Sequence, residues 1–109
     1  MAKGDGLGTL QVGVAGHDGH LDLVLLMMLL GKQQINSVWV EAGATLAGAL
    51  LQAGLVDELI VYIAPKLLGN AARGLCALPG LEELSQAPHF KFNEIRQVGP
   101  DVCLHLTTA

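Results

Sequence analysis

The sequence predicts an α/β domain, on three observations. Short β-branched runs alternate with leucine-rich segments of helical length in the order strand, helix, strand, helix, strand. Glycines fall at the ends of both candidate helices, at Gly31 and Gly54. A Gly-Pro-Asp break separates two alternating segments at the C-terminus, the pattern of a terminal β-hairpin. At 109 residues the chain suits one domain.

Residues 1–9 (MAKGDGLGT) place Gly at 4, 6 and 8 with almost nothing to bury. They read as a flexible leader or a cloning remnant, leaving residues 10–109 as the domain. Residues 10–14 (LQVGV) read as a short strand before the turn at residues 16–19 (GHDG). Residues 20–30 read as a helix capped by Asp18, with Gly31 as its C′ residue. Being apolar nearly all round, that helix expects cover on both sides. Residues 35–40 (INSVWV) are β-branched and aromatic and read as a buried strand, which Gly43 ends. Residues 45–53 (TLAGALLQA) read as a second helix, with Gly54 in the left-handed cap position and Leu55 folding back on Leu50. Residues 59–64 (LIVYIA) have the composition of a central strand stopped by Pro65. Residues 66–88 are punctuated by Gly69, Gly74, Pro79, Gly80 and Pro88, which makes them a long connection with at most one helical turn at 81–84. Residues 89–98 and 102–107 form the terminal hairpin.

Composition excludes several function classes. Ten acidic against six basic residues give a net charge of −4, so no basic surface is available to neutralise a nucleic-acid backbone. The longest apolar run is the eight residues 23–30, short of the ~20 that a membrane-spanning helix needs. Cys76 and Cys103 have no CxxC spacing and read as buried free thiols of a cytoplasmic protein.

The segment with most chemical content is residues 40–46 (VEAGATL), where a strand ends in the carboxylate of Glu41 and a glycine turn opens a helix. Ligands of open α/β sheets bind at such carboxyl ends, and a helix N-terminus favours an anion there. Gly43 lets a phosphate approach the main chain, and Thr45 adds a hydroxyl donor. The plain alternative is that Gly43 turns the chain and Thr45 caps the helix. Gly43 and Gly48 have the gap of a P-loop, but Ala49 and Leu50 stand where Lys and Ser or Thr are required. The residues His17, Asp18, His20 and Asp22 cluster as metal ligands would, yet capping explains them and no second pair completes a site, so no metal is expected. His89 and His105 have no Ser or Cys at an evident partner spacing, and no catalytic group is assigned.

The stretches INSVWVEAGATLAGALLQAGLVDELIVYIAPKLLG (residues 35–69) and HFKFNEIRQVGPDVCLHL (residues 89–106) closely resemble the C-terminal reductase domain of the bacterial bifunctional riboflavin-biosynthesis deaminase-reductases. The resemblance runs from about His17 to the C-terminus. It implies a three-layer α/β/α, dihydrofolate-reductase-like fold, of which this chain holds the C-terminal part with its hairpin. It also implies NADPH-dependent reduction of the ribosyl side chain of 5-amino-6-(5-phosphoribosylamino)uracil, a pyrimidine ribosyl-phosphate, to the ribitylamino form. By position Glu41 is similar to a substrate-contacting carboxylate, and Gly43, Ala44, Thr45, Leu46, Ala47, Gly48 and Ala49 to the segment that holds NADP. Ala44 departs from the family's Pro, which removes a preorganised helix start and restores one N–H donor. The family's zinc deaminase signature (HxE with PCxxC) has no counterpart here, so zinc belongs to a domain this sequence lacks. The resemblance further implies a homodimer and, with the first part of the reductase domain lacking a counterpart here, a fragment inactive by itself; the rival reading is that the apolar helix, the long loop and the terminal hairpin make a non-catalytic dimerisation module of the parent enzyme.

Overall fold

The computed structural model describes residues 2–4, 10–14, 16–17 and 19–109, the side chains of 2–4, 10–12 and 17 excepted. It divides into two units, Met1–Val40 and Glu41–Ala109.

In the first unit β1 (Ala2–Gly4) pairs antiparallel with β2 (Leu10–Val12). Part of the opening stretch expected to be a leader is therefore strand, and Met1 and residues 5–9 lie outside the described residues. β3 (Gly16–His17) pairs with β4 (His20–Leu21), which takes two residues from the start of the expected helix. The helix, α1, is Leu23–Lys32. Its cap is Asp22, whose Oδ1 accepts from the Leu25 N–H at 3.0 Å. Asp18, the expected cap, lies outside the described residues. None of the α1 residues is fully buried.

Gly31 does not end α1. The chain leaves it at Gln33 through a Schellman turn, with Ile35 N–H donating to Leu30 O at 3.2 Å and Gln34 N–H to Gly31 O at 3.0 Å. This puts Gln34 at φ +63°, the left-handed region that costs an L-residue about 1 kcal/mol. Gln34→Gly is therefore expected to raise stability by ~0.5–1 kcal/mol, read as an upward shift of the urea midpoint. An unchanged or lower midpoint would show that the turn is not strained.

Residues 35–43 form no helix or strand. The expected strand at 35–40 is thus corrected: Ile35, Val38, Trp39 and Val40 are exposed at 37, 44, 72 and 44%. The β-branched composition is present, but no described strand pairs with it, and strand propensity is realised only with a ladder partner.

In the second unit α2 is Ala44–Gln52, one residue earlier at each end than the sequence indicates. Its exit is as expected: Gly54 sits at φ +70°, its N–H donates to Leu51 O and the Leu55 N–H donates to Leu50 O, both at 3.1 Å. β5 (Glu58–Ile63), β6 (Phe90–Val98) and β7 (Asp101–Thr108) form a three-stranded antiparallel sheet in the order β5-β7-β6. β5, read as a central strand, is an edge of the described sheet, and the middle place is taken by β7. The hairpin turns through Gly99 at φ +59° and Pro100, with Val98 opposite Asp101. Positive φ at the first central residue followed by proline is a type II′ turn, which matches the twist of the paired strands.

The register sorts the sheet into two faces. Leu59, Val61 and Ile63, Val102, Leu104 and Leu106, and Phe92 and Ile95 alternate onto one apolar face. The other carries Glu58, Ile60, Tyr62, Cys103, His105, Glu94 and Arg96. Leu50 and Cys103 are the buried hydrophobic side chains among the described residues, each 5% exposed. The one short helical turn in the long connection is a 3-10 turn at Leu84–Gln86, later than expected because the Gln86 side chain closes it onto the N–H groups of Glu82 and Glu83 at 2.9 and 3.0 Å.

Candidate functional site

The amino-terminal end of α2 gathers the residues singled out by sequence. Glu41 is exposed and follows irregular chain, so the carboxylate precedes the helix without the strand that was expected to carry it. Gly43 is the N-cap, extended at φ −77° and ψ −179°. Having no side chain, it offers nothing to the helical N–H groups, and Ala44 and Thr45 follow as the first two helical residues. Thr45 is therefore inside the helix and not its cap, which removes one part of the plain structural alternative.

Space around these residues decides which of them a ligand can reach. A β-carbon built on Gly43 meets no atom within 4 Å, so the main chain there is open. Thr45 and Leu46 are exposed, Ala44, Ala47 and Ala49 half-buried, and Gly48 and Leu50 buried. A phosphate-bearing cofactor thus fits against residues 43–46: an open glycine, outward N–H groups at a helix start and a hydroxyl donor. Gly48 does not share that opening, because it lies under the Ala77 main chain. Ala77 is a residue the sequence reading missed. The small side chain required at Gly48 was the one signal for it, and nothing in the sequence says what fills the space.

The polar face of the sheet holds a second cluster. His105 Nε2 lies 3.1 Å from Glu58 Oε2, and its Nδ1 lies 3.5 Å from the Asn93 amide nitrogen. Asn93 reaches it from a register shift between Phe92 and Glu94. Arg96 Nε pairs with Glu94 Oε1 at 3.2 Å, and both side chains are largely exposed, at 60 and 58%. His105 is thus engaged by a carboxylate and not by a thiol, although Cys103 is two residues away on the same face. Both cysteines are free, Cys103 buried and Cys76 half-buried. A cleft of about 570 Å³ opens at the other end of α2, between Gln52, Pro79, Leu81, His89, Phe90 and Thr108. Among the described residues no three His, Cys, Asp or Glu side chains converge as metal ligands, and no helix is long and apolar enough to cross a membrane.

Helix α2 and the three-stranded sheet of the second unit, with α1 in the first, define an α/β protein in outline. Comparison with known proteins makes this particular. Residues 3–104 match the family model described as the RibD C-terminal domain, and the chain belongs to that family. It is 83% identical over 93 residues to the riboflavin biosynthesis protein RibD of Escherichia coli (strain K12), covering 85% of this chain and 25% of that protein. It is 43% identical over 99 residues to the 5-amino-6-(5-phosphoribosylamino)uracil reductase of Buchnera aphidicola, covering 91% and 48%. Among solved structures, Acinetobacter baumannii RibD (form 2) superposes with a TM-score of 0.76 at 38% identity, covering 95% of this chain and 28% of that one. The chain therefore spans about a quarter of the length of its RibD relatives.

Proposed function

We propose that this chain is part of an NADPH-dependent reductase that converts the ribosyl side chain of 5-amino-6-(5-phosphoribosylamino)uracil to the ribitylamino form, within a longer cytoplasmic deaminase-reductase of riboflavin biosynthesis. The names of its relatives support the reductase role and the substrate. The observation that carries the cofactor assignment is the open main chain at Gly43 beside exposed Thr45 and Leu46. NADPH, when bound, supplies the hydride. The residues of this chain then bind and orient: residues 43–46 offer N–H groups and a hydroxyl to phosphate, and Glu41 accepts hydrogen bonds from the polar substrate. In the parent the described elements form part of a three-layer dihydrofolate-reductase-like domain that assembles as a homodimer. Zinc serves only the deaminase domain.

The rival reading, a non-catalytic dimerisation module, draws on Phe92 and Ile95, which stand 61 and 60% exposed on edge strand β6. Gly43→Val separates the two. In the parent-length enzyme it should raise the KM for NADPH about tenfold, equivalent to ~1.4 kcal/mol, by closing the main-chain approach, with deaminase activity intact. An unchanged KM would mean that Gly43 only turns the chain and would remove the observation that sets the reductase reading above the module.

A further inference from the structure

Gly48 is buried for a steric reason. A β-carbon there would lie 2.6 Å from the Ala77 carbonyl carbon and 2.9 Å from the Ala77 nitrogen, and main-chain atoms cannot rotate away as a side chain could. The approach is closed by a hydrogen bond, since the Ala77 N–H donates to Ala44 O at 2.9 Å. At the far end of the helix, Gln52 Nε2 donates to Pro79 O at 2.8 Å. Ala44, Gly48 and Gln52 are spaced i, i+4 and i+8, which places them along one stripe of α2. Residues 77–79 are therefore a strap laid along the helix from its first turn to its last.

The first turn of a helix is where fraying begins, and α2 has nine residues and no side-chain cap. A ligand that binds a frayed end must also order it, at a cost to affinity that a preordered end avoids. The strap reaches α2 at Ala44, beside the open Gly43.

We propose that Gly48 is a positioning residue: by seating the strap at Ala77 it holds the first turn of α2 in its binding geometry, and it does not itself touch the cofactor. This rests on the cofactor reading given above for residues 43–46, but its structural arm can be measured without cofactor.

The test uses Gly48→Ala and Ala77→Pro in the parent-length enzyme, the second removing the donor to Ala44 at a residue outside the cofactor segment. Amide hydrogen exchange of the cofactor-free protein is followed over residues 44–52 and 74–80, and NADPH affinity is measured by equilibrium titration. Both variants should exchange at least tenfold faster in these two segments and bind NADPH about five- to tenfold more weakly, and Ala77→Pro, which lies outside the cofactor segment, should leave kcat at saturating NADPH unchanged. Gln52→Ala, which removes the donor to Pro79 O, serves if the stronger variants fail to fold: it should speed exchange of 78–80 and weaken NADPH binding about two- to threefold, and faster exchange with wild-type affinity would overturn the proposal. Weaker NADPH binding by Gly48→Ala with wild-type exchange would overturn the proposal in favour of direct contact. Wild-type affinity in Ala77→Pro, or faster exchange in either variant with affinity unchanged, would overturn it too. The cofactor reading is judged separately, by Gly43→Val.

Discussion

Glu41→Gln in the parent-length enzyme is expected to lower reductase kcat/KM about ten- to a hundredfold while leaving deaminase activity and melting temperature close to wild type. Glu41 is exposed, two residues before the open N-cap glycine of α2. A carboxylate there can accept hydrogen bonds from a hydroxyl-rich ribosyl substrate. The amide keeps the shape but loses the charge and half of the acceptor capacity, so substrate donors desolvated on binding are left underpaired. Such a loss costs ~1–3 kcal/mol, which sets the size of the kinetic effect. Thermal stability should change by no more than about 1 kcal/mol, since the substitution keeps the size and shape of an exposed side chain outside regular structure and exposed interactions of a carboxylate contribute ~0–1 kcal/mol. A melting temperature that falls by many degrees with normal kinetics would instead make Glu41 a structural cap or ion-pair residue.

The features legible in the sequence are those set by local chemistry. Gly54 as the exit of α2 with Leu55 bonded back to Leu50, the Gly99-Pro100 hairpin turn and the apolar run of β5 each follow from a few adjacent residues. The start of α1 was misplaced because Asp18 and Asp22 are both good caps, and only the pairing of His20–Leu21 with Gly16–His17 decides between them. Its end was misplaced because a glycine was expected at the left-handed position that Gln34 occupies. Features that depend on distant partners were not legible. Residues 35–40 have strand composition without a described neighbour to pair them, and β5 has central-strand composition while β7 holds the centre. The candidate site divides in the same way. Gly43 as a turn at a helix start is a local property, and it is where the structure leaves room. That Gly48 faces a strap 29 positions further along the chain depends on tertiary approach, which no spacing rule contains.

The 109-residue chain by itself is expected to show no reductase turnover and to self-associate. Hydride transfer needs the substrate held against the nicotinamide in near-attack geometry, within ~3.5 Å, and among the described residues the open main chain at Gly43 and the exposed Glu41 offer only one side of such an arrangement. The energetic argument for association comes from the sheet. Its apolar face carries eight large side chains of β5, β6 and β7 on one side, yet Ile63, Phe92 and Ile95 remain 50, 61 and 60% exposed. Burying such side chains stabilises by roughly 1.5–3 kcal/mol each. β6 adds an edge of nine residues with no described strand on its outer side, and open edges of that length recruit further strands. Light scattering should therefore give a mass above 11.4 kDa at high micromolar concentration. Phe92→Lys with Ile95→Lys, which places charge on two largely exposed side chains of β6, should bring the mass down towards the monomer. A monomer mass for the unaltered chain at that concentration would refute the association, and steady oxidation of NADPH on addition of the phosphoribosylaminouracil would refute the loss of turnover.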